Sequence, residues 1–534
     1  MSSNRSLRRV GSRRNSRRES FVNAGDKFPA WNLDKIYGRE QESKIIQDHI
    51  NKLSTGTLIL KGISGSGKSA LIESQNFEDD GWIFATGKYE AHRKNEPYSA
   101  LIEALDCLVD EWIENNKSAE ICKMKSFNTL LEQDVAFLAN ILPKVFCASK
   151  RTCKSRRLEK PSSSELTLEG ETKHDNNEKE IGFGTDVYGD ASVVNASFWR
   201  IISFLCEAKP VVLFLDDLQW ADKASLDAIQ ILATTGNIEG FFLAISYREE
   251  EVNEGDRVFR CINYIEEECE NVKIMYITDL DVESTNTMVS SILGKDPKLV
   301  LKFSQVIHSK TAGNPFFVGQ FMQMLRHERF LTYSFLTFQW EWGEIDKMDQ
   351  LAHVSDNVAD LVAGTMSKLP VPSLLALKVA SCLGKVIPLQ IMIEFFSSHE
   401  FLSSSIMMCD AMRSVKLQGL KHFLDSSVEF GILRRLEDTD TYLWAHDKLQ
   451  CVAYSMIPAC FLQKIHTELG KLLWEKSKSD PGNEWMLYMA AEQLNRFVNV
   501  DDDSQSEDFA KLSFEAGKLS ISKSAYFPGE NDQC

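Results

Sequence analysis

The amino-acid sequence predicts an α/β protein of the P-loop NTPase class, with a five-stranded parallel sheet and a largely helical second half. Three observations lead to this prediction. Short apolar runs alternate with helical stretches, one run leads into a glycine-rich loop, and another ends in two adjacent aspartates. Continuous apolar runs are typical of strands buried on both faces of a parallel sheet, and their alternation with helices favours a sheet covered on both sides.

Five runs are predicted to be the strands of this sheet. They are Thr57–Lys61, Trp82–Thr86, Val211–Leu215, Phe241–Ser246 and Val272–Ile277. Helical patterns between them include Tyr98–Glu114 and Ser197–Glu207. We therefore expect strands and helices to alternate up to about residue 280.

Beyond that point the pattern is mainly helical. Residues 284–330 predict two or three helices, and Phe335–Trp342 predicts a short aromatic strand or hairpin. Further helices followed by strand-like pieces at Gly431–Leu436 and Tyr442–Trp444 suggest a winged helix. We expect a disordered basic arm at 1–30, an ATPase core at 31–280 with a disordered insertion at about 149–190, a helical lid at 281–350, a winged-helix-like domain at 351–470, and the start of a helical repeat at 471–534.

Composition bounds the class of protein. A chain of 534 residues with 43% hydrophobic residues is expected to form two to four globular domains. No apolar run approaches the roughly 20 residues that cross a bilayer, and the N-terminus does not resemble a secretory signal. The twelve cysteines are scattered without a Cys-x-x-Cys pair, which favours reduced thiols over a zinc or redox site. We expect a cytoplasmic location, and the arginine-rich arm leaves a nuclear one open.

The charge is unevenly distributed. The chain carries a formal net charge of −17, although residues 1–20 hold seven arginines against one glutamate. Because contacts to phosphates need local positive charge, an acidic body is a poor general surface for nucleic acid. We therefore do not expect nucleic acid as a partner.

The glycine-rich loop carries the strongest chemical signal. Residues 62–69 fit the pattern G-x-x-x-x-G-K-[ST] at every fixed position. Glycines allow successive backbone N–H groups to point inward as a nest for phosphate oxygens. Lys68 is expected to reach the β- and γ-phosphates, and the Ser69 hydroxyl to bind Mg²⁺. The residues expected to contact ATP or ADP here are Gly62, Ser64, Gly65, Ser66, Gly67, Lys68, Ser69 and Ala70.

The third predicted strand delivers two carboxylates, Asp216 and Asp217, at its C-terminal end. Ligands of open α/β sheets bind at this edge. Asp216 is the expected carboxylate for Mg²⁺ and its water shell. Asp217 is then placed to orient or polarise the attacking water.

Two weaker signals follow. The fourth strand leads into Arg248, a fixed cation on the rim where the γ-phosphate should lie, although surface arginines are often merely salt-bridged. The segment Gly313-Asn314-Pro315-Phe316-Phe317 combines a turn with a helix start. It is either a helix cap or a segment that packs Pro315 on the adenine.

These motifs together resemble the signal-transduction ATPases with numerous domains (STAND), which are AAA+ relatives grouped with the origin-recognition-like ATPases. The chain is also similar to the ATPase module of multidomain serine/threonine and hybrid histidine kinases, from about Lys35 to Tyr526 outside the insertion. The residues that carry the resemblance are Tyr37-Gly38-Arg39-Glu40, Gly87-Lys88-Tyr89, Pro97-Tyr98-Ser99-Ala100-Leu101, Leu215-Asp216-Asp217-Leu218-Gln219-Trp220-Ala221-Asp222, the Gly313 segment and Trp444-Ala445-His446-Asp447-Lys448-Leu449-Gln450.

The resemblance implies a nucleotide switch. In this family ADP holds the nucleotide domain closed against a winged helix, and exchange for ATP opens the molecule for assembly with partners. It further implies that Arg39 approaches the nucleotide and that His446, in its His-Asp pair, contacts the ADP phosphate. The chain departs from the family's kinases because it has no H-R-D or D-F-G signature, so we do not expect protein kinase activity.

Three functions follow from these patterns. The first is a slow, Mg²⁺-dependent regulatory ATPase that changes shape between ATP and ADP states. The second is a nucleotide-locked scaffold that binds a protein partner without meaningful turnover. The third, a DNA-bound replication initiator, is disfavoured because acidic residues flank the predicted wing, where a DNA reader needs Lys or Arg.

Overall fold

The computed structural model describes residues 35–115, 191–345, 358–397, 417–496 and 510–518, apart from short gaps at 53–54, 78, 94–95, 235–237, 437–439 and 480–483. The predicted basic arm and the predicted insertion lie outside the described residues. Among the described residues, no helix combines the length and the apolar character that crossing a membrane requires.

The first half contains the predicted five-stranded parallel sheet. Its strands are β1 (Gly56–Gly62), β2 (Ile83–Lys88), β3 (Val211–Asp216), β4 (Phe241–Arg248) and β5 (Val272–Tyr276). They are arranged in the order β2-β3-β4-β1-β5, and every neighbouring pair is parallel. All five predicted strands and the parallel topology are therefore confirmed.

Helices cover both faces of the sheet. They are α1 (Glu40–Lys52), α2 (Lys68–Glu73), α3 (Ser99–Asn115), α4 (Ala191–Ala208), α5 (Lys223–Thr234) and α6 (Arg257–Glu268). Alternate residues of β3 face opposite sides: Leu213 and Leu215 pack with the cluster that includes α3 to α6, whereas Val212 and Phe214 pack with α1 and α2. This two-sided burial explains why β3 is a continuous apolar run.

A helical unit follows the sheet. Helices α7 (Val282–Leu293), α8 (Pro297–Thr311) and α9 (Pro315–His327) pack around Phe303 and Phe321, and strands β6 (Leu331–Ser334) and β7 (Gln339–Trp342) form an antiparallel hairpin beside them. Three helices and a hairpin agree with the pattern in the sequence. The boundaries assigned to the domains stay predictions.

The next unit combines helices with a small antiparallel sheet. Helices α10 (Val358–Ser367), α11 (Val371–Cys382), α12 (Leu389–Ser397) and α13 (Leu417–Glu429) share one core with strands β8 (Val386–Pro388), β9 (Leu433–Arg435) and β10 (Thr441–Trp444). The sheet order is β8-β10-β9. Short strands β9 and β10 lie at the strand-like pieces indicated by the sequence, and β8 is a third strand that the sequence analysis did not indicate. The winged helix stays a prediction.

The chain continues with helices α14 (Asp447–Ser455), α15 (Ala459–Ser479) and α16 (Glu484–Asn495), and residues 510–518 are helical as well. Helices α15 and α16 pack closely, and Gly470 of α15 lies against Leu494 of α16. These antiparallel helices agree with the helical C-terminal region expected from the sequence. Helix α14 is placed so that its first residue points back toward the parallel sheet.

One glycine of the sheet gives a prediction about folding. A Cβ atom built on Gly87 in β2 would lie 2.0 Å from the backbone oxygen of Ala100 in α3, a contact that no side-chain rotation relieves. We expect Gly87→Ala to lower the free energy of unfolding by about 2 kcal/mol. Denaturant titration followed by circular dichroism measures this change. Gly255→Ala is the control, since a Cβ there meets nothing within 4 Å, and equal stability of the two variants would contradict the prediction.

Candidate nucleotide-binding site

The P-loop lies between β1 and α2, as predicted. Gly67 caps the start of α2 with φ 96°, a left-handed conformation that residues with a Cβ rarely adopt, and the space around its missing side chain is open. The Lys68 ammonium donates hydrogen bonds to the backbone oxygens of Gly62 and Ile63, both at 2.8 Å. Burial lowers the pKa of Lys68, although Asp217 and Asp216 oppose that shift.

The loop has room and donors for phosphate oxygens. Within the part of the chain that the structure describes, the buried hydroxyls of Ser64 and Ser66 have no hydrogen-bond partner. The backbone N–H of Ser64 donates to a carboxylate oxygen of Glu250 at 2.8 Å. A loop whose backbone N–H already binds a carboxylate oxygen, and whose buried hydroxyls are unpaired, is suited to bind the phosphates of a nucleotide.

Ser69 and Asp216 are brought together, as expected for a shared Mg²⁺ site. The Ser69 hydroxyl donates to Asp216 Oδ2 at 2.8 Å, and the Ser246 hydroxyl at the end of β4 donates to Asp216 Oδ1. A hydroxyl and a carboxylate are oxygen ligands of the kind that Mg²⁺ prefers. The residues therefore fit the ion, and Ala70 follows them within α2.

Arg39 contacts the back of the loop. Its guanidinium is buried and donates to the backbone oxygens of Ser66, at 3.1 Å, and Thr278, and it pairs with Glu42 at 3.1 Å. Arg39 thus links the segment before α1, the P-loop and the end of the sheet. Its direct contact with nucleotide stays a prediction.

Asp217 is buried in a set of charged contacts. Arg248 donates two hydrogen bonds to the Asp217 carboxylate, from Nε to Oδ1 at 2.9 Å and from Nη2 to Oδ2 at 3.0 Å. Lys88 lies 2.6 Å from Oδ2, and Gln219 donates to Oδ1 at 3.0 Å. Burial alone would raise the pKa of Asp217, but Lys88 and Arg248 outweigh it and hold that pKa well below its usual range. In this conformation Asp217 binds cations, and its role in orienting water stays a prediction.

Lys88 and Arg248 also contact the helical half of the chain. Arg248 Nη2 lies 2.7 Å from Asp447 Oδ2 at the start of α14, and Lys88 Nζ lies 3.4 Å from the same oxygen. The Arg248 guanidinium also stacks on Trp220, 4.4 Å from the ring centre. We call Lys88, Asp217, Arg248 and Asp447 the charge cluster. It joins the nucleotide-binding half to α14, and Arg248 faces Asp217 and Asp447 on the rim where it was predicted to meet the γ-phosphate.

His446 lies directly beside the cluster. Its Nδ1 accepts a hydrogen bond from the backbone N–H of Lys448 at 3.1 Å and so caps α14. Its ring stacks on Phe316, with ring centres 3.9 Å apart and an angle of 25°. Burial lowers the pKa of His446 to about 3, despite the opposing charge of Asp447. His446 is therefore neutral near pH 7, and its contact with a nucleotide phosphate stays a prediction.

The Gly313 segment connects this histidine to the P-loop. The Asn314 side chain donates to the backbone oxygen of Ser64 at 3.2 Å and to Asp279 at 2.9 Å, and Pro315 begins α9. Because Phe316 follows directly, one short segment contacts both the loop and His446. Asn314 also caps α9, so the cap interpretation and a nucleotide role for Pro315 are compatible.

The structure brings most predicted site residues to one edge of the sheet, but it adds others that the sequence reasoning missed. The residues to which the sequence analysis gave no role of their own at the site are Lys88, Gln219, Ser246, Glu250 and Asn314, although Lys88, Gln219 and Asn314 lie in motifs that it named. Lys88 and Ser246 carried a usable signal, because each lies at the carboxyl end of a predicted or extended strand. Register pairs Lys88 with Asp216 and Gly62 with Arg248, which places all four at the same edge.

This loop, the carboxylate strand beside it and the sheet order define a P-loop NTPase fold. Residues 35–245 match the family described as the AAA ATPase domain. The predicted class is confirmed over these residues.

Comparison with known proteins gives relatives that are distant in sequence. The chain is 26% identical over 419 residues to hybrid signal transduction histidine kinase G of Dictyostelium discoideum, covering 66% of this chain and 11% of that protein. This similarity confirms the predicted resemblance to the ATPase module of hybrid histidine kinases. The chain thus spans about a ninth of the length of this relative.

Solved structures match the chain at low sequence identity. A STAND protein with a tetratricopeptide repeat sensor from Pyrococcus horikoshii is 12% identical and has a TM-score of 0.42, over 91% of this chain and 52% of that one. The ORC2 protein of Aeropyrum pernix is 11% identical with a TM-score of 0.31, over 80% of this chain and 96% of that one.

Proposed function

We propose that the chain is a regulatory ATPase that binds ATP and Mg²⁺ and switches between a closed and an open arrangement in a signalling pathway. One observation carries the proposal: Arg248 holds Asp217 of the nucleotide site and Asp447 of α14 at once. A nucleotide that changes the partners of Arg248 therefore also changes the contact between the two halves. A ligand shifts such an equilibrium only through contacts that differ between the two states.

Each group of residues at the site has its own role in this proposal. The P-loop and Lys68 bind phosphates, and Ser69 and Asp216 hold the ion. Bound Mg·ATP supplies the phosphoryl group for hydrolysis. Asp217 becomes available to orient water only when it releases Arg248 and Lys88, which couples turnover to loosening of the charge cluster. Hydrolysis is then slow in the closed arrangement.

Asp447→Asn tests this switch. The substitution removes the negative charge on α14 and keeps its shape, so the closed arrangement should weaken. We expect wild-type protein to be compact with ADP and expanded with a non-hydrolysable ATP analogue, as measured by the radius of gyration in small-angle X-ray scattering. Asp447→Asn should be expanded with either nucleotide.

The matched control is Asp440→Asn, because Asp440 is an exposed carboxylate of the same unit that pairs with Lys421 instead of the cluster. It should behave like wild type. The switch is refuted when wild type has one radius of gyration with both nucleotides, or when Asp447→Asn stays as compact with ADP as the control.

A second candidate is a nucleotide-locked scaffold without turnover. The observation that favours it is that both carboxylate oxygens of Asp217 are already bound. Measured ATP turnover that disappears in Asp217→Asn while nucleotide stays bound supports the ATPase. Nucleotide that co-purifies in wild type and in Asp217→Asn, with no turnover in either, supports the scaffold.

The relative's name places that protein in signal transduction, and we propose a signalling role for this chain by similarity. We further propose that the open, ATP-bound arrangement assembles with protein partners or with further copies of the chain. The chain's formal net charge of −17 makes nucleic acid a poor partner.

A further inference from the structure

The function proposed above uses Lys88 only as a partner of Asp217, but the same side chain also contacts Asp216. It is the last residue of β2, and parallel register places it beside Asp216. Its ammonium lies 2.6 Å from Asp217 Oδ2, 3.4 Å from Asp216 Oδ2 and 3.4 Å from Asp447 Oδ2. One amino group therefore contacts the candidate magnesium carboxylate, its neighbour and the carboxylate of the helical half.

Arg248 has a different set of partners. It is held by Asp217, Glu251 and Asp447 and stacks on Trp220. Among the ion pairs of the described residues, the cation on Asp216 is Lys88. Lys88 also has more exposure than Arg248, with 26% of its side chain accessible against 5%. Lys88 is thus the more exposed of the two cations, and within this set of ion pairs it alone contacts both Asp216 and Asp447.

Lys88 and Ser69 contact the same oxygen of Asp216. This oxygen, Oδ2, accepts a hydrogen bond from the Ser69 hydroxyl at 2.8 Å and lies 3.4 Å from the Lys88 ammonium. Burial lowers the pKa of Lys88, but Asp216, Asp217 and Asp447 raise it well above its usual value, so the group stays charged. A divalent cation bound by Ser69 and Asp216 would share an oxygen with this ammonium, and like charges at that separation repel strongly where water is scarce.

We propose that Lys88 is a positioning residue that competes with Mg²⁺ for Asp216 and, through the same ammonium, ties Asp447 to the nucleotide site. This inference rests on the proposed magnesium site and the proposed closed arrangement. Lys88 links the two, so that occupancy of the metal position and closure of the two halves influence each other. Such coupling is reciprocal: loss of Lys88 strengthens metal binding and weakens closure.

The test uses the full chain loaded with ADP and Mn²⁺ as a paramagnetic probe of the Mg²⁺ position. Free Mn²⁺ is measured by electron paramagnetic resonance during titration, and closure is measured in parallel by small-angle X-ray scattering. Lys88→Met should bind Mn²⁺ roughly tenfold more tightly than wild type, the ratio that corresponds to the loss of one modest charge repulsion, and should be less compact. Lys88→Arg keeps the charge and should stay within about twofold of wild type in Mn²⁺ affinity.

Asp447→Asn separates this proposal from a merely structural role. It opens the closed arrangement but leaves the ammonium on Asp216, so its Mn²⁺ affinity should rise less than that of Lys88→Met. If Lys88→Met binds Mn²⁺ no more tightly than wild type, or if Asp447→Asn gains as much affinity as Lys88→Met, the competition is refuted. Thermal melting by circular dichroism identifies any variant that fails to fold, and Lys88→Gln then replaces Lys88→Met.

The titration is repeated without nucleotide, because the Asp216 site is part of the chain itself. Failure of the proposed switch appears as an unchanged radius of gyration between ADP and ATP analogue. Failure of the Lys88 inference appears as unchanged Mn²⁺ affinity in Lys88→Met under both conditions.

Discussion

Lys68→Ala should lower the affinity for ATP and ADP by at least about a hundredfold. The Lys68 ammonium is buried at the base of the P-loop and donates two hydrogen bonds at 2.8 Å to loop carbonyls. Phosphate oxygens offer the same donor stronger, charge-assisted hydrogen bonds, each contributing about 1.5–3 kcal/mol. Since 1.4 kcal/mol corresponds to a factor of ten, the loss of two such bonds exceeds a hundredfold. Isothermal titration calorimetry with each nucleotide measures the change.

The control is Lys61→Ala, because Lys61 lies on β1, just before the loop, and its ammonium lies 5.9 Å from the ring centre of Tyr276. It should keep wild-type affinity. Unchanged affinity in Lys68→Ala, with an intact melting transition, would mean that this loop does not bind nucleotide and would remove the basis of the proposed function.

The outcome of this experiment bears on the charge cluster as well. In the present conformation Lys68 bonds to its own loop, and Asp217 bonds to Lys88 and Arg248. These three cations, Lys68, Lys88 and Arg248, are thus already partnered inside the chain. Binding of a polyanionic nucleotide must redistribute these partners, and redistribution that reaches Arg248 also reaches Asp447.

The sequence predicted the sheet well because its signals are local. Each strand is a short apolar run, and the P-loop is a contiguous motif whose geometry depends on neighbouring residues such as Gly67 and Lys68. Strand ends shifted by only one or two residues: β2 extends to Lys88 because its ladder with β3 continues to Asp216. Predictions of this kind succeed where one element carries its own pattern.

The charge cluster could not be predicted from the sequence, because its contacts are not local. Lys88 and Asp447 are separated by 359 positions in the chain, and no local pattern indicates which face of α14 meets the sheet. The sequence did single out Arg248 as a rim cation, but only the packed structure pairs it with Asp217 and Asp447. Similarly, the ring stacking of His446 on Phe316 joins two motifs that were predicted independently.

His446 makes the closed arrangement sensitive to pH. Its pKa is lowered from 6.5 to about 3 where it is buried, chiefly by burial, and in an open, solvated arrangement it should return to about 6.5. The closed state thus binds fewer protons, so its advantage is complete above pH 6.5 and declines as pH falls toward 3. Relative to pH 7.5, closure with ADP should weaken roughly thirtyfold at pH 5.

His446→Asn is the matched control, because asparagine is a good helix cap but does not titrate in this range. The open fraction of ADP-loaded protein, measured by scattering or by distance between spin labels on the two halves, should rise from pH 7.5 to 5 in wild type and stay nearly constant in His446→Asn. The titration of Asp447 does not contribute to this pH dependence, because its pKa is lowered below 3.8 and the carboxylate stays charged between pH 7.5 and 5. An identical rise in both proteins would assign the pH dependence to other groups and would show that His446 does not contribute to it. A rise confined to wild type would show that closure releases a proton from the His446 ring.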